Sequence, residues 1–466
     1  MNYSLFIVLL TVTACSVGPD YKTRNVFEDS QIAESLNLKH VGHQISPKWY
    51  RNFNDENLNI LIEQSLTSNT DVLSAIEKLR QARTLIKISE KQYFPMLNLT
   101  GGYDYSKASK NIGLSADTDY FAVGFDSDWE IDIWGKGRRL NEQRRAQFYA
   151  SYYTLQNIKN VITAEVANTY FSLKTLEEQK RIALENLKLQ QDIFKTVQNK
   201  YQSGIADESA YRQSAYLVEK TKSLIPSLET QIIAQKNALL MLTGRLPNTD
   251  DFLFKTQKNP IRQAYQYDLK NLTDLPVDII RTRPDVKAAE NDMIAQNAAI
   301  GQAVASLYPN ISLSALFSLQ STKLSNLFDH SSKSYGYQPS LLLPIFHWGI
   351  LENTVNLEKQ KMEETYQNYR KAILTSVEEL ANTITDLKNE YQTNRATRNG
   401  TYNLQKAYQA MKQKYNSGLI EYSSLLEIQE DLLQSQTALA QSDGAILKKI
   451  IAFYKATGGG YNNVLP

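Results

Sequence analysis

KYQSG stands at Lys200–Gly204 and KYNSG at Lys414–Gly418, nearly the same word 214 residues apart. The first word ends a stretch, about 138–202, that holds neither proline nor glycine. A glycine after such a stretch is a helix-closing signal, because it enters the left-handed region without a steric penalty. A second helical pattern follows each word. Tyr211, Val218, Ile225, Ile232 and Leu239 recur every seven residues, and Leu425, Leu432, Leu439, Ile446 and Phe453 do so in the second copy. The word therefore reads as the tight turn at the tip of a helical hairpin, made twice.

The same offset carries much of the chain onto itself. Asp71-Val72 falls on Asp285-Val286, Ala167-Asn168-Thr169 on Ala381-Asn382-Thr383, and Thr243-Gly244 on Thr457-Gly458. The register slips to 212 where Trp129-Glu130-Ile131 meets Leu341-Leu342-Leu343. Solenoid units run roughly 20 to 50 residues, so this is a duplication of a long unit. Either the duplication has no present use, or the two halves sit as neighbours around a pseudo-symmetric ring.

Ahead of each long helix the hydrophobic period changes to two, the mark of a strand with unlike faces. Leu97, Leu99, Gly101, Tyr103 and Tyr105 alternate with Asn98, Thr100, Gly102, Asp104 and Ser106. Phe121, Val123, Phe125, Trp129 and Ile131 alternate with Ala122, Gly124, Asp126, Asp128 and Glu130. Ile311 to Leu319, and Tyr337, Pro339, Leu341 and Leu343, supply a second pair. Each segment has the length of a tilted membrane-spanning strand, and aromatics gather at both ends. Alternation alone does not separate such strands from an amphipathic sheet on a soluble core. If they do span a membrane, the sheet must close, and four strands are too few. Two copies would give eight strands and three would give twelve.

The first long helix would extend roughly 100 Å at 1.5 Å per residue. Its apolar series is Leu155, Ile158, Ile162, Val166, Thr169, Leu173, Leu176, Ala183, Leu187, Phe194, Val197 and Tyr201, at coiled-coil spacing. Pro226 is expected to kink the returning helix of the first copy.

Composition excludes several classes. There are 51 basic and 49 acidic residues among 466, with no basic block, so nucleic acid is not an expected partner. Four scattered histidines (His40, His43, His330 and His347) and a single cysteine give no metal cluster and no internal disulfide, and no cofactor is expected. No nucleophile with a base, paired catalytic carboxylates or phosphate loop is present, so an enzyme is not expected.

The cysteine has its own context. Leu5 to Val12 is an apolar core too short to span a bilayer, followed by Thr13-Ala14-Cys15. Residues 1–14 read as a signal peptide, although Met1 to Ser4 lack the usual positive charge. Val12-Thr13-Ala14-Cys15 resembles a bacterial lipobox, which makes Cys15 the expected lipidation site; the bland reading is a secretory peptide with a chance cysteine.

Several motifs, in order, then carry a resemblance over essentially the whole chain: Cys15 to Tyr21; Pro47, Trp49, Phe53, Asp55, Leu58, Leu61 and Asn69; Asn237 to Leu239 with Leu242 to Arg245; Leu275-Pro276 with Arg283-Pro284-Asp285-Val286 and Glu290; and Tyr454 to Gly460. The chain is similar to TolC-like outer membrane efflux proteins, in the lipoprotein branch paired with resistance–nodulation–division pumps. The resemblance implies a homotrimer with a shared twelve-stranded outer-membrane β-barrel, four strands per chain. A long α-helical coiled-coil barrel would continue it through the periplasm, with a mixed α/β equatorial belt. It implies a passive exit duct for drugs or other small molecules, lipid-anchored in the outer membrane. Its partners would be a periplasmic adaptor and an inner-membrane pump. A conduit for type I protein secretion or for metal-ion efflux is the alternative.

On this reading 15–54 is the lipidated N-terminal segment, 55–243 the first repeat, 244–282 an equatorial linker, 283–457 the second repeat and 458–466 a tail. Strands are expected at about 96–106, 120–131, 310–320 and 335–344, and helices at about 138–202, 207–243, 351–416 and 421–457. Glu427 and Ser424 match positions that ring the periplasmic gate in the family, and Ser424 lacks the acid some members carry. Gly204, Ile205, Gly418, Leu419 and Ile420 are candidates for adaptor contact. Asp104, Asp126, Asp128 and Glu130 are expected to face the barrel lumen and to favour cations. Arg283-Pro284-Asp285 reads as a helix start. A purely structural coiled-coil lipoprotein would explain the helices but not four alternating strands.

Overall fold

The computed structural model describes residues 16–24, 26–36, 45–109, 111, 117–247, 261, 275–276 and 278–460. The expected signal peptide, Cys15, most of the 244–282 linker and residues 461–466 of the tail lie outside the described residues. Among the described residues there are eight α-helices and four strands. They are α1 (Asp29–Leu36), α2 (Glu56–Ser68), α3 (Thr70–Lys91), β1 (Met96–Lys107), β2 (Asp117–Glu130), α4 (Lys136–Gln202), α5 (Glu208–Leu242), α6 (Pro284–Ala305), β3 (Asn310–Ser321), β4 (Lys333–Leu342), α7 (Ile350–Asn416) and α8 (Tyr422–Ala456).

The duplication is visible element by element. Helices α4 and α7 are both 67 residues long, and α5 and α8 are both 35. The outlier is β2 with 14 residues against 10 in β4. The two strands end at Glu130 and Leu342, 212 residues apart, which is where the register slips.

The chain divides into two compact units. One comprises Met1–Arg24, Lys78–Tyr152 and Ala288–Arg370; the other comprises Asn25–Glu77, Tyr153–Lys287 and Lys371–Pro466. The first holds the sheet, antiparallel in the order β1-β2-β3-β4. Its register aligns Leu99 with Phe125, Phe125 with Phe317 and Phe317 with Tyr335, so one face is apolar across all four strands. These side chains are exposed within the chain, with Leu99 at 68% and Tyr335 at 82%. Both β1 and β4 end the sheet with an unpaired edge. The rim toward the helices is stitched by two tryptophans. Trp129 Nε1 donates to the Tyr93 carbonyl and Trp134 Nε1 to the Pro309 carbonyl, each at 2.8 Å, and Trp134 stacks on Tyr308.

Helix α4 starts two residues earlier than expected, through Gly137. The Asp132 carboxylate accepts from the Gly137 and Arg138 amides at 3.1 and 3.0 Å, satisfying donors that a helix start leaves orphaned.

The second unit is cored by the segment quoted above. Trp49, Phe53, Leu58, Leu61 and Asn69 are all buried, Trp49 stacks on Tyr454 at 4.9 Å, and Phe53 meets Phe171 at 5.0 Å. The stretch 15–54, expected as the lipidated N-terminal segment, contains α1 and a short 3-10 turn at Trp49–Phe53. Helix α5 runs through Pro226 without a break.

The seam of α4 differs from expectation. Between Phe171 and Val197 the expected Leu173, Ala183 and Val197 are buried, but so is a line through Thr175, Glu178, Ile182, Asn186, Gln190 and Ile193 that is mostly polar. Leu176, Leu187 and Phe194 of the expected apolar series are only half-buried, and Tyr201 is exposed. Of these polar groups Asn186 finds its partner on α8, donating to Gln436 at 2.8 Å, whereas Glu178 pairs with Arg181 and Thr175 donates to the Phe171 carbonyl within α4.

Candidate functional site

Each KYxSG word folds into the same cap. The Ile205 amide donates to the Lys200 carbonyl at 2.8 Å and the Gly204 amide to the Tyr201 carbonyl at 3.0 Å. In the second copy Leu419 donates to Lys414 at 2.9 Å and Gly418 to Tyr415 at 3.0 Å. This is the Schellman pattern, and it requires the left-handed backbone that Gly204 and Gly418 adopt at φ 70° and 72°. In such caps the residue after the glycine frequently packs back on the helix. Here Ile205 and Leu419 are 77% and 73% exposed, so each tip carries an unpacked aliphatic side chain. Ile420 is half-buried and packs against the tip core, made of Ile193, Val197, Tyr408, Tyr415, Tyr422, Leu425 and Leu432.

Glu427 and Ser424 lie three residues apart on α8. Leu425, Gln429 and Leu432 form the buried line of that helix. Glu427 stands about 200° around from Leu425 at 3.6 residues per turn, facing away from the chain's own core. It is exposed, makes no ion pair with the described residues, and Ser424 is half-buried.

The four carboxylates expected in the lumen share the face opposite Leu99 and Phe125. Asp104 pairs with Tyr120, Asn98 with Asp126, Asp128 with Ser314 and Glu130 with Ser312. Asn98 donates to Asp126 at 3.0 Å and Ser314 to Asp128 at 2.6 Å. Asp126, Asp128 and Glu130 crowd the rim near α4, while Asp104 stands nearer the hairpin loop. The face is not wholly polar: Met96, Leu316 and Leu342 lie on it.

Cys15 is followed by Ser16, whose place is fixed beside Gly135, five residues past the end of β2. The Val17 amide donates to the Trp134 carbonyl at 3.0 Å. Arg139 holds the strap beyond it, donating to the Val17 and Gly18 carbonyls and pairing with Asp20 and Glu142 at 2.8 Å.

Sequence reasoning missed what Arg283 does. It does precede the start of α6 at Pro284, as read. It is also buried, pairs with Asp285 and Glu379 at 2.8 Å each, and donates to the Ala456 carbonyl at the end of α8. Asn69, its counterpart in the first copy, donates to the Leu242 carbonyl at the end of α5 at 3.0 Å. Each half is thus closed by a side chain at the start of α3 or α6 that caps the last helix of that half. The 214-residue offset was the available signal, since it aligns Asn69 with Arg283 and Leu242 with Ala456.

Comparison with known proteins gives a coherent result. A model of the outer membrane efflux protein family matches residues 61–245 and again 275–459, two matches 214 residues apart. The cation efflux system protein CusC of Escherichia coli O6:H1 is 26% identical over 461 residues, covering 98% of each chain. The solvent efflux pump outer membrane protein SrpC of Pseudomonas putida is 26% identical over 464 residues, covering 97% of each. The crystal structure of the Campylobacter jejuni CmeC outer membrane channel superposes with a TM-score of 0.86 at 24% identity, covering 97% of this chain and 96% of that one.

Proposed function

The chain belongs to the outer membrane efflux protein family, and from that premise we propose that it is the outer-membrane exit duct of a tripartite efflux pump. The observation that carries this reading is the four-stranded sheet with one apolar face, one face bearing carboxylates, and two open edges. A sheet in lipid cannot leave its edges unpaired. Three copies joined edge to edge, β4 of one to β1 of the next, make a twelve-stranded barrel with lipid outside and Asp104, Asp126, Asp128 and Glu130 lining water. The duct is passive rather than an enzyme, and the pump and adaptor select its cargo of drugs or other small molecules.

Cys15 is the lipidation site in this reading, and the residue after it, Ser16, lies beside Gly135 just past the end of β2. Glu427 gives the trimer three carboxylates at the gate, and Ser424 gives none. Ile205 and Leu419, exposed at the hairpin tips, are the surfaces offered to the periplasmic adaptor. Metal-ion efflux is the second reading, favoured by the name of the E. coli relative.

A photo-crosslinking residue at Leu419, used in the native host, tests the assignment. Capture of a periplasmic adaptor with a proton-driven inner-membrane pump supports it, and that pump's substrates decide between drugs and metal ions. Capture of an ATP-driven exporter instead would replace efflux with protein secretion.

A further inference from the structure

The repeated word makes a contact that only half of its copies complete within one chain. Lys200 Nζ of the first word lies 4.2 Å from the ring centroid of Tyr415 in the second, a cation–π contact. Around it Tyr415 is buried and Lys200 half-buried. Among the described residues the other members of the two words, Lys414 and Tyr201, make no cation–π contact, and Tyr201 stacks on Tyr211 at 5.1 Å while keeping part of its surface exposed. Lys414 is exposed and has no ion pair among the described residues, and Tyr201 is 38% exposed.

The 214-residue offset says where they go. If the two hairpins are neighbours around a ring, each in-chain contact has a counterpart one step further on. A residue of the first hairpin is replaced by the residue 214 later, and a residue of the second by the residue 214 earlier on the next chain. Lys200 against Tyr415 then becomes Lys414 against Tyr201 of a second copy. Surrounding residues transform in kind. Buried Val197 maps to half-buried Met411, and buried Tyr408 maps to half-buried Phe194 of the next copy. Leu425 and Leu432 map to Tyr211 and Val218.

Other in-chain contacts do not survive the same operation. The Lys220–Glu430 pair becomes Gln434 facing Tyr216, and the Asn186–Gln436 bond becomes Gly400 facing Lys222. The lysine–tyrosine pair thus recurs at both junctions, whereas these two polar contacts recur at only one.

We propose that Lys414 and Tyr201 form the contact between neighbouring copies at the hairpin tips. A trimer then carries a closed belt of six lysine–tyrosine contacts, three within chains and three between them. This rests on the trimeric channel reading. It also accounts for the word itself: every hairpin in the belt must give a lysine to one neighbour and a tyrosine to the other.

The test uses the full-length protein with Lys414→Cys and Tyr201→Cys together, treated with a short bis-maleimide, beside Lys200→Cys with Tyr415→Cys. The expected result is covalent dimers and trimers from the first pair on denaturing gels, and monomers from the second. Monomers alone from the first pair, in a protein whose native mass is three chains, overturn the belt and leave the channel intact. A native mass of one chain overturns the belt and the trimer together. In Lys414→Met, loss of the cation should lower the temperature at which the trimer dissociates; an unchanged temperature counts against the contact.

Discussion

Two glycines inside long helices should respond in opposite ways to the same substitution. Gly400 in α7 has nothing within 4 Å of where a Cβ would stand. Its counterpart in the first copy, Asn186, carries a larger side chain in the same place. Gly400→Ala therefore gains only helix preference, about 0.5–1 kcal/mol. Gly444 in α8 is different, because a Cβ there would overlap Thr175 Oγ1 and come within 3.2 Å of Thr175 Cβ. Thr175 cannot swing aside freely, since its hydroxyl donates to the Phe171 carbonyl at 2.7 Å. Losing that bond costs about 0.5–1.5 kcal/mol. Crowding a packed contact costs about 1–3 kcal/mol. Set against the helix gain, Gly444→Ala should destabilise by about 1–3 kcal/mol. Thermal unfolding of detergent-purified protein, followed by far-UV circular dichroism, should rank Gly400→Ala above the parent and Gly444→Ala below it. Adding Thr175→Ala to Gly444→Ala removes the obstruction and should raise the midpoint again. A Gly444→Ala protein as stable as the parent, or a double variant no better than the single, would refute the close approach of α4 and α8.

Arg283→Met should cost about 2 kcal/mol, because breaking a buried pair costs roughly 3–5 and the partner carboxylates are a third exposed; Asn69→Ala should cost about 1–2 kcal/mol, since it strips the cap from α3 and the partner from the Leu242 carbonyl. Chemical denaturation of both variants checks the order. Burial holds the Asp443 carboxyl above its usual range, against the lowering influence of Asn394 and Arg398. A raised carboxylate favours folding most when protonated, so its contribution falls as pH rises from the ordinary carboxylate range through the raised value. The stability of the parent relative to Asp443→Asn should accordingly improve on acidification from neutrality, which melting both proteins across that range would reveal. Asp126→Asn with Asp128→Asn should weaken cation preference in planar bilayers, read as a shift of reversal potential toward zero under a salt gradient; an unchanged potential would remove these carboxylates from the conduction path.

The parts of the fold governed by local periodicity were legible in the sequence. Alternation located all four strands, and the paired words located both tips, because each depends on neighbours close in the chain. The errors sit where distant groups decide. The start of α4 was placed after Gly137 because the Asp132 carboxylate that caps it is not part of the helix pattern. The seam of α4 was read as apolar, yet Glu178, Asn186 and Gln190 are buried in it; Asn186 meets α8 and Glu178 pairs with Arg181, contacts a period count does not see. Arg283 was read for its local role as a helix start, while Glu379 and Ala456 lie 96 and 173 residues away. Among the site residues, the shared face of Asp104, Asp126, Asp128 and Glu130 follows from alternation alone, whereas the packing of Ile420 depends on the tip aromatics.

The unpaired edges of β1 and β4 also bear on how the protein is made. A newly exported chain presents a four-stranded sheet whose apolar face and two bare edges have no partner of its own to cover them. Such a surface pairs with whatever strand it meets first. The time a chain spends alone in the periplasm therefore competes directly with aggregation. Yield should rise with escort by periplasmic chaperones and fall steeply when chains are synthesised faster than they can find two others.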